Sequence, residues 1–143
     1  MIKTINTDKA PAAIGPYSQA KVVGDFVFTS GQIAINPANG EIEAFTIEEQ
    51  TKQVCENIKN LLEASGSDLE NVVKTTCFLK NMEDFAAFNA IYAEYFTSKP
   101  ARSCVAAKQL PKDVLVEVET IAVKKWFFFR YTALLYARGI PKK

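Results

Sequence analysis

Arg102 is the only arginine in the first 129 residues, and lysine supplies the positive charge elsewhere in this stretch. A guanidinium is planar, always charged and able to bind a carboxylate or phosphate through two parallel hydrogen bonds, which an ammonium cannot do. The arginine follows Pro100 and Ala101 and precedes the small residues Ser103 and Cys104. This setting favours a dedicated anion site, with an ordinary surface arginine as the alternative.

Two carboxylates, Glu117 and Glu119, lie in a segment of alternating polarity, residues 114–123. Side chains two residues apart on a strand share one face and lie ~6.6 Å apart. Their neighbours are apolar rather than basic, so burial should raise the pKa of at least one carboxyl group. The alternative is a solvated stripe on an exposed sheet face.

The sequence contains no histidine, which excludes a Ser-His-Asp triad, a Cys-His pair and imidazole metal ligands. Catalysis would then use carboxylates, hydroxyls, thiols, amides, lysine or the arginine, and this favours orienting a water against an already reactive substrate. The three cysteines are widely spaced and predict neither zinc nor disulfides, so we expect reduced thiols in a cytoplasmic protein. Cys104 lacks an evident base to activate it, and we interpret it as pocket lining rather than a nucleophile.

Two loop segments carry further candidates. Residues 10–20 contain two prolines and a glycine, which favour an extended path, and Tyr17 is the only large polar ring among them. Its hydroxyl could donate to a substrate or a water, or its ring could simply cover apolar surface. Ser30 and Gly31 follow a predicted strand, and a glycine there permits close approach of a ligand.

Size and charge bound the class of protein. A chain of 143 residues fits one domain with a core large enough to fold unaided. The net charge of +1 with interspersed signs shows no footprint for a nucleic acid. The first residues lack the apolar run of a secretory signal, and neither a membrane nor a nucleic acid is expected as a partner.

The last nineteen residues, 125–143, hold six of the sixteen aromatic residues. This segment is too short and too charged to span a bilayer, which needs ~20 apolar residues. It could be an interfacial anchor, an extension that packs in an oligomer, or sequence beyond the natural end of the domain. We favour an atypical aromatic and basic extension on a domain formed by residues 1–124.

Hydrophobic periodicity predicts strands and two helices. Residues 22–30 read as a hairpin, and residues 36–40 as a loop. A capping box of Thr46 and Glu49 begins a helix that ends at Gly66. A strand follows at residues 72–80, with these side chains on one side: Val73, Thr75, Cys77 and Leu79.

A second helix is predicted from Asn81, which would cap it. Its helically spaced aromatic side chains are interpreted as core: Phe85, Phe88, Tyr92 and Tyr95. A short strand from Arg102 and a longer one at residues 114–123 complete the order. This order predicts an α+β fold with two helices packed on one face of a sheet. The other face must be solvated or buried by another subunit, and the apolar content favours a subunit.

Six segments in register resemble the Rid (YjgF, reactive intermediate deaminase) family, over residues 1–124 and closest to its deaminase-active branch. They are AAIGPYSQA (12–20), TSGQI (29–33), VKTT (73–76), PARSCV (100–105), LPKD (110–113) and VEVETIAV (116–123). The resemblance implies a chorismate-mutase-like fold with a mixed sheet. It also implies a homotrimer in which the sheets meet in a central barrel, with a ligand cleft at each subunit interface.

The resemblance also implies an activity: cofactor-free and metal-free hydrolysis of 2-imino acids, formed from 2-aminoacrylate or 2-aminocrotonate, to 2-oxo acids and ammonia. Arg102 matches the residue that binds the substrate carboxylate, helped by backbone amides near Cys104. The groups around the imine and its water are matched by Tyr17, Ser30 and Glu117. Asn89 corresponds to another residue of the cleft, and Gly31 is assigned to substrate binding.

Two alternatives stay open: an endoribonuclease or translation inhibitor, and a non-catalytic trimer that binds a small ligand. The single site arginine, the missing histidine and the low net charge argue against RNA cleavage. The chain departs from the family pattern in two places. The loop between Phe96 and Pro100 is short, and the segment after Lys124 has no counterpart.

Overall fold

The structure is a computed structural model, and it describes residues 1–125 together with residues 133, 134 and 137. The predictions for residues 125–143 therefore fall almost wholly outside the described residues, and the boundary at residue 124 stays a prediction. The described strands are β1 (Ile2–Ile5), β2 (Ala20–Val23), β3 (Phe26–Thr29), β4 (Val72–Leu79), β5 (Ala101–Ala106) and β6 (Val116–Val123). The helices are α1 (Ile47–Ala64) and α2 (Phe85–Tyr95).

The strands of the described residues form one mixed sheet in the order β1-β2-β3-β6-β4-β5. β4 and β5 are parallel, and the remaining neighbours are antiparallel. Helix α1 packs on α2, β6 and β3, and α2 lies over β4, where the Tyr92 hydroxyl meets that of Thr75. The predicted α+β class, with two helices on one face of a mixed sheet, is confirmed.

Local sequence signals account for the first half of the chain. The hairpin of β2 and β3 turns at Gly24, whose φ of +58° suits glycine. The capping box is present, because the Thr46 hydroxyl accepts from the Glu49 amide and the Glu49 carboxylate accepts from the Thr46 amide. Helix α1 ends before Gly66, whose φ is +80°.

The prediction of which β4 side chains share one face is correct except at Val73. Thr75, Cys77 and Leu79 are buried, whereas Val73 is exposed and Val72 is buried in its place. A register shift between β4 and β6 falls between Val72 and Lys74. This bulge adds one residue to β4, so the side chains before it alternate out of phase with those after it.

Asn81 does not cap α2 with its side chain, contrary to the prediction. A tight turn at Met82–Asp84 intervenes, and α2 begins at Phe85. The amides of Asp84 and Phe85 donate to the carbonyls of Asn81 and Met82. These short-range bonds satisfy amides that a capping side chain would otherwise serve.

The last strand begins at Val116 rather than at residue 114. Lys112 and Asp113 adopt left-handed backbone conformations, with φ of 55° each, so the chain is still turning there. The Leu115 amide donates to the side chain of Gln50 instead of joining the sheet. From Val116 onward the alternation is as predicted, with the following side chains buried beneath the helices: Val116, Val118, Thr120 and Ala122. The prediction is wrong for Val114 and Leu115, because Val114 packs in a separate cluster with Leu110 and Leu115 packs against the main core.

The opposite face of the sheet is uncovered and largely apolar. Strand pairing places Val23, Phe26 and Val123 in one row, and Lys21, Phe28 and Ile121 in the next. Phe78 and Val105 continue this face toward β5, and Glu117 lies beside Phe78. Exposed apolar side chains on this face include Val23, Phe26, Phe28 and Val105. An apolar surface of this kind on a small domain is typical of an interface.

Candidate active site

A cavity of about 250 Å³ lies between the loop of residues 6–19, the end of β3 and the start of β6. It brings together four of the predicted site residues: Tyr17, Ser30, Gly31 and Glu117. The rest of its lining is mostly apolar or amide, and comprises Pro11, Ala12, Ile14, Gln19, Gln32, Ile33, Ile35 and Pro111. Glu117 is therefore the one ionisable carboxyl group among the described lining residues.

The Glu117 carboxyl group lies directly against Gly31. A Cβ added to Gly31 would overlap Glu117 Oε1 and lie 2.8 Å from Cδ. A glycine at position 31 is therefore needed for close approach. From the sequence we expected a ligand to approach it, whereas the structure places the Glu117 carboxyl group there. Gly31 is kept next to β6 because the Gln32 amide donates to the Val118 carbonyl over 2.8 Å.

Burial raises the pKa of Glu117, and the neighbouring Glu119 raises it further. Both carboxylates are on the uncovered face, where Glu117 is half-buried and Glu119 is exposed. The direction agrees with the expectation from the apolar neighbours. A carboxylate with a raised pKa holds a proton more readily than a solvated one, which makes it better suited to accepting and returning protons.

Ser30 and Tyr17 both have their hydroxyls engaged by backbone groups. Ser30 Oγ donates to the Ser18 carbonyl over 2.6 Å, which leaves its lone pairs as acceptors toward the cavity. The Tyr17 hydroxyl accepts from the Ile14 amide over 3.1 Å, which leaves its proton to be donated. The two hydroxyls therefore offer complementary hydrogen-bonding capacity beside Glu117.

Arg102 lies on β5, at an edge of the sheet, and its surroundings come from α2. Its Nη1 donates to Asn89 Oδ1 over 2.7 Å, so the structure brings these two predicted residues together. Three aromatic rings surround the guanidinium, with centroids 4.9 to 5.9 Å from Cζ: Tyr92, Phe85 and Phe88. Cation–π contacts of this kind favour a guanidinium over an ammonium.

These aromatic residues are a part of the site that the sequence interpretation missed. It assigned the helically spaced aromatic stripe to the core, and Phe88 and Tyr92 are indeed buried. The same stripe also orients Arg102, because the Tyr92 hydroxyl is fixed by Thr75 at 2.7 Å and its ring stacks on Phe96 at 4.4 Å. The sequence signal that could have indicated this second role is the position of Asn89, a predicted site residue on the side of α2 that carries Phe85 and Tyr92.

Cys104 lies two residues beyond Arg102 on the same side of β5, and it lies opposite Cys77 of β4 in the strand register. Both cysteines are free thiols. Burial raises the pKa of the Cys104 thiol, although Arg102 acts to lower it. The thiol is therefore protonated near neutral pH and is a poor nucleophile. This state agrees with Cys104 as lining of the site.

The predicted site residues fall into two half-sites on opposite faces of the sheet. Arg102 pairs with Thr75, which pairs with Thr120, and both threonines are buried on the helix-covered face. Glu117 pairs with Phe78 on the uncovered face. Paired residues share a face, so one chain does not place Arg102 beside Glu117. The carboxylate half-site holds Tyr17, Ser30, Gly31 and Glu117, and the arginine half-site holds Asn89, Arg102 and Cys104.

The described residues contain no group of three or more histidine, cysteine, aspartate or glutamate side chains that could hold a metal ion. Within the same part of the chain, no helix is long and apolar enough to cross a membrane.

A six-stranded mixed sheet with two helices on one face, and with half-sites divided between its faces, defines a class of small α+β proteins. The chain belongs to the Endoribonuclease L-PSP family, whose model matches residues 7–124. This is the Rid (YjgF) family indicated by the sequence motifs, and that prediction is confirmed.

Relatives with assigned names support the same membership. The chain is 56% identical to a RutC family protein of Pyrococcus abyssi, over 86% of this chain and 98% of that one. It is 48% identical to the 2-iminobutanoate/2-iminopropanoate deaminase of Escherichia coli, over 87% of this chain and 100% of that one. The crystal structure of E. coli TdcF with bound serine is similar, with a TM-score of 0.82, 42% identity and coverage of 86% and 99%.

Gly31→Ala should displace the Glu117 carboxyl group, because the added methyl would occupy its position. We expect the pKa of Glu117 to fall toward its ordinary value, since burial is the larger cause of its elevation. An NMR titration of the carboxyl group measures this change. Gly15→Ala is the control, because its Cβ would lie in ordinary contact 3.4 Å from the Tyr17 ring. An unchanged Glu117 titration in Gly31→Ala would contradict the close approach.

Proposed function

We propose that this protein is a cytoplasmic, cofactor-free homotrimeric hydrolase that deaminates 2-imino acids to 2-oxo acids and ammonia. The observation that carries the proposal is the separation of the two half-sites. An arginine with no carboxylate partner among the described residues and a carboxylate over Gly31 are complementary to the two ends of an imino acid. The substrates are 2-iminobutanoate and 2-iminopropanoate, which give the E. coli relative its name.

Arg102 binds the substrate carboxylate in this proposal. The guanidinium has one N–H group committed to Asn89 and its faces against aromatic rings, so its remaining N–H groups are available in a fixed plane. A carboxylate accepts two parallel hydrogen bonds from such a plane. The serine bound to E. coli TdcF is itself an amino acid with a carboxylate, which agrees with this class of ligand.

Glu117 handles the protons of the hydrolysis. Its carboxylate accepts a proton from a water as the water oxygen adds to the imine carbon, and passes this proton to the imine nitrogen, which gives a carbinolamine with a hydroxyl and an amine on one carbon. The hydroxyl proton then moves to nitrogen through Glu117, the C–N bond breaks, and ammonia and the 2-oxo acid leave. Tyr17 orients the water by donating its hydroxyl proton to it. Ser30 orients the imine nitrogen by accepting a hydrogen bond from it. An imine is electrophilic enough that orientation supplies much of the rate.

The half-sites are completed by a neighbouring subunit. The uncovered apolar face of the sheet carries Glu117, so covering that face with a second copy places another chain beside the carboxylate half-site. A cyclic trimer repeats this contact three times with one type of interface. The proposal therefore assigns one complete site to each interface, with Arg102 from one chain and Glu117 from its neighbour.

The family name raises RNA cleavage as a second candidate. The carboxylate half-site argues against it, because no lysine or arginine is among the described residues that line the cavity. A carboxylate without a cation repels a phosphodiester, and RNA binding depends on neutralising phosphates. An imino acid brings its single charge to Arg102 and keeps an uncharged or cationic nitrogen near Glu117.

Wild-type protein should accelerate 2-oxobutanoate formation when threonine dehydratase supplies the imine. Arg102→Ala should abolish this acceleration, and Arg102→Lys should lose about 1–3 kcal/mol of transition-state binding, because charge is retained without the planar two-bond geometry. Lys59→Ala, which removes an exposed positive charge from α1, is the matched control. A wild-type rate in Arg102→Lys would show that Arg102 contributes only its positive charge. No acceleration by the wild type would favour a non-catalytic binding protein.

The kcat/KM of hydrolysis should fall as pH decreases through the raised pKa of Glu117, because only the carboxylate accepts a proton from water. Glu119→Gln should move this acid limb to lower pH, since it removes a neighbouring negative charge. Glu117→Gln should lower kcat by about 10²–10⁴-fold, as expected for loss of a general base. An acid limb that stays in place in both variants would exclude Glu117 as its source.

Mixed oligomers should test the shared site. Arg102→Ala and Glu117→Gln chains should each have little or no activity alone, but random trimers of the two should contain intact clefts at about one interface in four. We expect hydrolysis to reappear on co-refolding, with sedimentation confirming three chains per particle. The control mixes each variant only with itself. A mixture that stays inactive although mixed trimers form would place both residues of a site in one chain.

A further inference from the structure

We propose that Gln19 is a positioning residue that holds the loop of residues 6–19, and with it Tyr17, against the carboxylate half-site. This proposal deepens the proposed function and rests on it for its catalytic consequence. The loop is a wall of the cavity that lies outside the helices and strands, as residues 30–35 also do. Its backbone groups must find hydrogen-bond partners outside regular secondary structure.

The side chain of Gln19 supplies four of these hydrogen bonds. It is only 4% exposed, and its Oε1 accepts from the Thr7 amide over 2.7 Å. The two N–H groups of its Nε2 are shared among the carbonyls of Thr7, Ala10 and Pro11, at 2.9, 3.2 and 2.8 Å. A single amide group therefore joins the start of the loop to its end. Asn60 of α1 makes a further side-chain contact to this backbone, because it donates to the Lys9 carbonyl.

Gln19 also connects the loop to the catalytic strand end. Its backbone carbonyl accepts from the Ser30 amide over 2.9 Å, next to the bond from Ser30 Oγ to the Ser18 carbonyl. Among the described residues, the hydrogen bonds of Tyr17 lie within the loop, to Ile14 and Gly15, so Tyr17 moves with the loop. The position of the Tyr17 hydroxyl relative to Glu117 thus depends on the clamp at Gln19.

The rest of the cavity is held independently. Glu117 lies on β6, in the middle of the sheet. The wall at residues 33–35 is held by buried Asn57, which donates to the carbonyls of Ile33 and Ile35. Release of the loop should therefore displace Tyr17 while Glu117 and Ser30 stay in place, because Ser30 lies between Thr29 of β3 and Gln32, which is bonded to Val118. A displacement of about 1 Å in a positioned group can cost roughly 10²-fold in rate.

The test compares Gln19→Met, Gln19→Glu and Gln50→Met by hydrogen exchange of residues 7–18. Gln50 is a matched control, because it is also buried, its Oε1 accepts from the Leu115 amide and its Nε2 donates to the Ala44 carbonyl. We expect exchange in the loop to rise roughly tenfold or more in both Gln19 variants, and not in Gln50→Met. Gln19→Glu should release the loop at least as much as Gln19→Met, because its carboxylate faces three carbonyls without a donor.

Three outcomes decide the proposal. Wild-type exchange of the loop in Gln19→Met overturns it, whether or not the protein hydrolyses imines. Wild-type exchange in Gln19→Glu also overturns it, because the isosteric side chain would then act only by filling space. In the hydrolysis assay, the kcat of both Gln19 variants should fall at least roughly tenfold with little change in KM, since Arg102 of the other half-site still binds the substrate carboxylate. A released loop with wild-type kcat would overturn the positioning role.

Discussion

The alternation of side chains along β6 is the constraint on which the rest of the structure depends. Val116, Val118, Thr120 and Ala122 point into the core beneath the helices. A strand has a side-chain period of two, so Glu117 and Glu119 must point to the uncovered face. A slip of one residue would bury both carboxylates under the helices, at a cost of several kcal/mol for each unpaired charge. The core therefore fixes the side of the sheet on which the carboxylate chemistry takes place.

The arginine half-site is governed by a different interaction. The described residues contain no carboxylate paired with Arg102, whose charge meets aromatic faces and an amide oxygen instead. Aromatic contacts stabilise a guanidinium without neutralising it, and each is worth about 0.5–2 kcal/mol. The cation is thus oriented while its capacity for an anion is retained. An ion pair in the same position would have satisfied the guanidinium and closed the site.

Local patterns in the sequence predicted much of the fold. The capping box of Thr46 and Glu49 and the hairpin turn at Gly24 depend on neighbours within a few residues, and both are present. The predictions for Val73 and Asn81 were wrong, because a bulge and a tight turn depend on how distant strands pair and how the chain enters α2. The same reason explains the aromatic residues around Arg102, since only packing of α2 on β5 brings them to the guanidinium.

The sequence by itself determined which groups are available for chemistry. It has a single arginine before residue 130, no histidine, and alternating carboxylates whose apolar neighbours indicated a raised pKa. Motifs in register also identified the family. Only the tertiary structure decided that Arg102 and Glu117 occupy opposite faces, that Gly31 makes room for Glu117, and that Gln19 holds the loop carrying Tyr17. These relations join residues far apart in the chain, and strand register and burial set them rather than local propensity.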